Sequence, residues 1–155
     1  MESIKVMEIQ NKTIVEMLYK ALLGQFGTTM DMVSKLLASD LEWWFHGPPH
    51  CQHMMRVLTG ETSLDKGFRF ESRRVTAIGD HVIAEGWEGQ AYWVHVWTLK
   101  NGMITQFREY FNTWLVVRDL RPPKLEDDRQ HSLPLWQSQP HDLNPRSLPG
   151  LVLAI

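Results

Sequence analysis

The dipeptide Asn101-Gly102 constrains this chain more than any other pair of its residues. Both residues tolerate positive φ, so Asn-Gly between two apolar runs closes a two-residue β-hairpin. The runs here are Gln90 to Leu99 and Met103 to Val117. A second turn signal, Gly79-Asp80, separates Phe68 to Ile78 from His81 to Glu88. Long strands joined by short turns make a meander. Upstream the apolar period is helical. Thr13-Ile14-Val15-Glu16 has the spacing of a capping box, and Ile14, Leu18, Ala21 and Leu22 follow on one stripe. This predicts a helix from Thr13 to Gly24 or Gly27. A second start lies at Thr28-Thr29-Met30-Asp31, with Val33, Leu36 and Leu37 as its stripe. Asp40 to Phe45 reads as an aromatic strand, and Met54 to Leu58 as a short helix. Helices first and strands after predict an α+β fold, with the helices packed on one face of a strongly curved, mostly antiparallel sheet.

At 155 residues and 43% hydrophobic, the chain is sized for one domain with a true core. Its seven Trp suit apolar cavities that keep one polar contact. A formal charge of −2 without a like-charge block argues against a nucleic-acid partner or a polybasic membrane patch. No run of about 20 apolar residues occurs, so no membrane insertion is expected. The N-terminus carries Glu2, Lys5 and Glu8 rather than an apolar signal core. A single cysteine excludes an intrachain disulfide and fits a cytoplasmic or nuclear setting. After Arg118 the composition shifts: six of the eight prolines lie between Pro122 and Pro149. The reading is thus an N-terminal extension over 1–10, a domain over 11–118 and a Pro-rich irregular tail over 119–155. The tail nevertheless contains Leu133-Pro134-Leu135-Trp136 and ends in apolar Leu148 to Ile155. Part of it is expected to dock, on the domain or on a partner protein.

The chemistry-bearing residues cluster in two places. His46-Gly47-Pro48-Pro49-His50-Cys51-Gln52-His53 breaks the aromatic strand into a rigid loop, a common setting for a small-molecule site. Zn²⁺ accepts His and Cys at such spacings, but no second cysteine or distant pair completes a framework, so no metal is assigned. Cys51 lacks an oxyanion element, and no Gly-rich phosphate loop is present, so no cofactor is implied. The second cluster lies on the long strands. Alternation puts Trp93, His95 and Trp97 on one face, Arg108, Tyr110, Asn112 and Trp114 on one face, and Trp44 and His46 on one face. Arg108 and its neighbour Glu109 must point to opposite faces. Period alone does not say which face lines a cavity. Both faces are apolar, which calls for cover by a second copy of the chain or by the tail. His95 between two Trp suits a proton carrier held neutral by burial, and equally a hydrogen-bonded core residue.

Helices first, a strand ending in His-Gly-Pro, and the hairpin Asn101-Gly102-Met103-Ile104 running into Arg108-Glu109-Tyr110-Phe111-Asn112 together resemble the NTF2-like superfamily. That fold is shared with SnoaL-type polyketide cyclases and ketosteroid isomerase. Within it, the Trp44-Phe45-His46-Gly47-Pro48-Pro49-His50 run and the ending Ser147 to Leu153 resemble the plant wound-induced protein family, which includes senescence-associated members. The resemblance implies a cone-shaped cavity, a homodimer and a wound- or stress-linked role. In SnoaL-like proteins the Arg and Tyr of an Arg-x-Tyr-x-Asp ending face the cone, which implies Arg108 and Tyr110 as ligand contacts. Asn112 stands where the Asp would be; it can hydrogen-bond a ligand but does not exchange a proton at ordinary pH. His46 lies near the position of the ketosteroid isomerase base, and His95 is a second candidate. The expected function is binding of an apolar small molecule by Tyr19, Trp44, Trp93, Trp97, Arg108, Tyr110, Asn112 and Trp114, without turnover and in support of specialised metabolism. The alternatives are an isomerase, cyclase or dehydratase with His46 or His95 as general base, and a ligand-free interaction module.

Overall fold

In the computed structural model, the residues described are 2–22, 29–47, 54, 58, 70–88, 91–118, 134–138 and 148–155. Helix α1 (Glu2–Leu22) buries Asn11, Val15, Leu18, Tyr19 and Leu22. Those positions recur at the three- and four-residue intervals that keep one helical face inward. The helix does not begin at Thr13, as the capping-box spacing predicted. Thr13 sits mid-helix, where its Oγ1 donates to the Ile9 carbonyl at 2.9 Å. The same hydroxyl that can cap a helix can bond back one turn once the helix continues past it. The stretch 1–10, read as an extension, is therefore helical from Glu2, and Glu8 accepts a hydrogen bond from the Gly79 amide at 2.7 Å.

Helix α2 (Thr29–Leu36) leads directly into β1 (Leu37–His46). The meander follows as β2 (Ser72–Ile78), β3 (His81–Glu88), β4 (Ala91–Lys100) and β5 (Met103–Phe111). They form a five-stranded sheet in the order β1-β5-β4-β3-β2. All neighbours are antiparallel except β1 and β5, which run parallel. Asn101 and Gly102 both take positive φ, 53° and 79°, as the hairpin signal required.

The β4–β5 ladder contains one irregularity of large consequence. Lys100 pairs with Met103 and Leu99 with Ile104, but Thr98 pairs with Gln106. Thr105 is thus the extra residue of a β-bulge, and every pair beyond it is shifted by one. Trp97 then faces Phe107, His95 faces Glu109, and Trp93 faces Phe111. Without the bulge His95 would stand opposite Arg108.

The expected return strand to Val117 is broken in two. Asn112 adopts φ 56°, and β6 (Thr113–Arg118) leaves in a new direction. Asn is among the few non-glycine residues that occupy this left-handed region readily. Its amide donates to the Tyr92 carbonyl at 2.6 Å, and its Oδ1 accepts from the Tyr92 amide at 3.3 Å. Asn112 is accordingly a chain corner.

The segment read as an irregular tail contributes two strands, β7 (Pro134–Gln137) and β8 (Leu148–Ala154). They flank β6 in a second sheet ordered β7-β6-β8, with β8 parallel to β6. Its apolar side, Leu115, Val117, Trp136, Leu151, Leu153 and Ile155, packs on Ile83, Tyr92, Val94, Val96 and Tyr110. The two-sided apolar character of β4 follows: helices cover one face, and the chain's own second sheet covers the other. Arg74 holds this cover in place. Its guanidinium lies 3.8 Å from the Trp136 ring centroid while its Nε pairs with Glu85 at 3.0 Å. Glu85 also accepts from the Tyr92 hydroxyl. Ser138 closes the end, its Oγ accepting from the Leu115 amide at 2.7 Å.

Among the described residues no helix is long and apolar enough to cross a membrane. Truncating Trp136 to Ala should cost about 3–5 kcal/mol in urea denaturation, the usual range for emptying a buried Trp site. Asn112→Ala should cost about 1–2 kcal/mol from the positive φ, with Asn112→Gly recovering part of that loss.

Candidate functional site

The helix-side face of the five-stranded sheet is built from alternate residues: Trp43 and Phe45 on β1, Phe107, Glu109 and Phe111 on β5, and Trp93, His95 and Trp97 on β4. Gly86 on β3 stands opposite Trp93, and a Cβ there would come within 2.6 Å of the indole. Glycine at that position lets Trp93 lie across the strand. Helix α1 closes the face from above and adds Tyr19.

Into this apolar wall the fold sets a chain of polar groups. Trp97 Nε1–H donates to Tyr19 Oη at 2.9 Å. Tyr19 Oη lies 2.5 Å from His95 Nδ1, and His95 Nε2 lies 2.8 Å from Glu109 Oε2. Since Tyr19 Oη already accepts from Trp97, its own proton goes to Nδ1, which leaves Nε2 protonated and donating to Glu109. The rings frame the chain: Trp93 stacks on His95 at 4.5 Å between centroids, and Phe107 meets it edge-on at 4.9 Å. His95 and Glu109 are both 0% exposed. Desolvation pushes the Glu109 carboxyl well above its ordinary range and the His95 imidazole well below its own. It likewise raises the Tyr19 phenol. The pair is thereby held neutral.

Among the described residues, three buried polar atoms of this face have no hydrogen-bond partner: Glu109 Oε1, Trp93 Nε1 and Trp43 Nε1. Glu109 is the free end of the Trp97–Tyr19–His95–Glu109 chain. Such a carboxyl can give or take a proton at Oε1, and its ionised form would be steadied by the His95 N–H behind it.

The residues expected in one cavity are divided between two faces. Tyr19, Trp93, His95 and Trp97 lie on the helix side. Trp44, His46, Arg108 and Tyr110 lie on the opposite face, around a groove of about 390 Å³ that β8 completes with Leu151 and Leu153. The expectation that Arg108 and Tyr110 share the cone with His95 therefore does not hold, and the bulge at Thr105 is the reason. Asn112 has its side chain engaged with Tyr92, and Trp114 is exposed on the second sheet. Of the His46–His53 cluster only His46 belongs to the described residues, and among these no group of three metal-binding side chains occurs. Glu109 was missed as a site residue. Its signal was present: one carboxylate between Phe107 and Phe111 on an apolar alternation is out of place unless partnered.

Comparison with known proteins gave the following. The family model for wound-induced protein WI12 matches residues 55–155. That span holds His95, Arg108, Glu109 and β8, while Tyr19, Trp44 and His46 precede it. A protein of Arabidopsis thaliana, senescence associated gene 20, is 39% identical over 116 residues, covering 65% of this chain and 100% of that protein. Wound-induced protein 1 of Solanum tuberosum is 36% identical over 105 residues, covering 65% and 100%. Among solved structures, Bal32a from a soil-derived mobile gene cassette superposes with a TM-score of 0.50 at 20% identity, over 68% of this chain and 91% of that one. A SnoaL-like polyketide cyclase from Jannaschia sp. CCS1 gives 0.49 at 19% identity, over 68% and 87%. The fold is α+β, with helices on one face of a mixed, largely antiparallel sheet, as the sequence predicted.

Because burial keeps Glu109 neutral, the folded chain holds a proton that the unfolded chain gives up above the ordinary carboxyl pKa of 4.5. This contribution to stability is complete below that value and is lost as pH rises from it toward the raised folded pKa. His95 acts with the opposite slope: the unfolded chain takes up its proton first as pH falls through 6.5. Glu109→Gln removes the carboxyl slope. At pH 7 it should be more stable than the parent, with the gap closing toward pH 4.5. Urea denaturation across pH 4–8 measures this. A variant less stable than the parent at pH 7 would mean that the pair is ionised.

Proposed function

Because the chain belongs to the wound-induced protein WI12 family, we propose that it is a wound- or stress-linked protein that binds an apolar, ring-containing small molecule on the helix side of its sheet. The polar group of that molecule sits at Glu109. One observation carries the reading: among the described residues, Glu109 Oε1, Trp93 Nε1 and Trp43 Nε1 are buried without partners on a single aromatic face. Buried polar groups in native proteins are nearly always satisfied. A carboxyl and two indole N–H donors in an apolar wall are what a ligand with one or two oxygen functions would complete. Glu109 lies between Phe45 and His95 in one cross-strand row, Trp43 lies in the adjoining row through Phe107, and Trp93 in the row beyond through Phe111.

A second reading, acid–base catalysis of an isomerase, cyclase or dehydratase type, is favoured by the geometry of the same chain. Both nitrogens of His95 are occupied, by Tyr19 and by Glu109. The group that would meet a substrate is therefore Glu109, with His95 and Tyr19 as its positioning residues. His46, on the other face, takes no part in this reading.

Protein purified from its own tissue and analysed by native mass spectrometry should carry an apolar compound in near-stoichiometric amount, released on denaturation. Adding that compound back to Glu109→Gln and Tyr19→Phe proteins separates the readings. For a binding protein, Glu109→Gln weakens affinity by about tenfold and no product forms. For an enzyme, turnover falls by orders of magnitude while binding survives. Recovery of the protein free of any small molecule, together with unchanged binding by Glu109→Gln, would count against both.

A further inference from the structure

The outer groove is bordered by Gln106 and Glu109, and also by residues that the helix-side reading does not use. Its floor is the β1–β5 pair, where Trp44 lies beside Arg108 and His46 beside Tyr110 in register. Its far wall is Leu151 and Leu153 of β8. Trp44 is 59% exposed, an unusual state for the largest apolar side chain when apolar neighbours stand next to it. The acid beside it is already engaged: Glu42 accepts from the Gln106 amide, and its hydrogen bonds to Trp44 and Gln106, together with the charge of Arg108, hold its carboxyl below the ordinary range. Among the described residues Arg108 makes no ion pair. Its hydrogen-bonding neighbour on the groove floor is the Tyr110 hydroxyl. The Nε2 of His46 is buried and unpaired, with its ring 6.2 Å from that of Tyr110.

The groove therefore joins one cation, one hydroxyl and one unpaired imidazole nitrogen to a flat aromatic surface and two aliphatic side chains. Its volume of about 390 Å³ lies within the range of small-molecule sites. We propose that this groove is a second binding site, for a small planar carboxylate whose ring lies between Trp44 and the Leu151–Leu153 wall and whose carboxylate meets Arg108 and Tyr110. Guanidinium recognises carboxylate through parallel N–H donors, and the Tyr110 hydroxyl adds a third donor to the same oxygens. The proposal does not rest on the helix-side reading: Tyr19, Trp93, His95 and Trp97 do not line this groove.

The test uses full-length protein and two probes that differ only in charge, naphthalene-2-carboxylate and naphthalene-2-methanol, titrated by calorimetry. The carboxylate should bind at least about tenfold more tightly than the alcohol. Arg108→Gln should abolish that preference, and Leu153→Trp, which fills the groove from β8, should remove binding of both probes. Thermal melts establish that each variant is folded; if Leu153→Trp is not, Trp44→Ala serves in its place and should weaken both probes. Equal affinity for the two probes, no binding of either, or a charge preference that survives Arg108→Gln would overturn the proposal. So would carboxylate binding that survives Leu153→Trp or Trp44→Ala but is lost in Tyr19→Phe, which would put the ligand on the helix side and leave that reading standing.

Discussion

One extra residue, Thr105, decides what each face of this protein is. The hairpin at Asn101-Gly102 starts a ladder in which His95 would oppose Arg108, and the bulge moves the partner on to Glu109. Side chains on a strand alternate with a period of two, so a shift of one exchanges the two faces completely. With the bulge, Phe107, Glu109 and Phe111 join Trp93, His95 and Trp97 beneath α1, while Arg108 and Tyr110 turn outward. The parallel pairing of β1 with β5 carries the choice one strand further, sending Trp43 and Phe45 inward and Trp44 and His46 outward. The length of this hairpin is therefore under a stronger constraint than its composition.

The same register explains how a polar chain comes to be buried in a core. Aligning His95 with Glu109 puts an imidazole within hydrogen-bond reach of a carboxyl, and α1 supplies Tyr19 to the other nitrogen. Removing one member would leave the others unsatisfied in an apolar wall, where each missing bond costs about 1–3 kcal/mol. A core made only for stability would be better served by apolar side chains of the same volume. The chain of four polar groups, open at Glu109 Oε1, is a feature that packing alone does not call for.

Much of the architecture can be read from the chain. The Asn101-Gly102 and Gly79-Asp80 turns, the helical stripe of Leu18 and Leu22 and the order of helices before strands are local signals, and local signals survive folding. What escaped is not local. The Thr105 bulge is a property of two strands together, and neither strand's pattern marks it. The corner at Asn112 was visible only as a departure from an Arg-x-Tyr-x-Asp ending, although its positive φ accounts for an Asn there. The strands β7 and β8 were hidden by the prolines around them, because Pro is compatible with edge strands and both are edges of the second sheet. Thr13 looked like a helix start because the capping spacing is also found inside helices. Among the candidate residues, His95 and Tyr19 stand out by their types, whereas the face on which Arg108 and Tyr110 lie depends on a register that the chain does not spell out.

Arg108 and Glu109 are joined by a single peptide bond and face opposite ways. The strand that carries them has no slack: it is hydrogen-bonded to β1 on one side and to β4 on the other. A molecule that displaced β5 from one face would therefore also move the residues that β5 presents to the other. Linkage then makes the traffic two-way, since whatever factor an occupant of the first face imposes on affinity at the second, an occupant of the second imposes on the first.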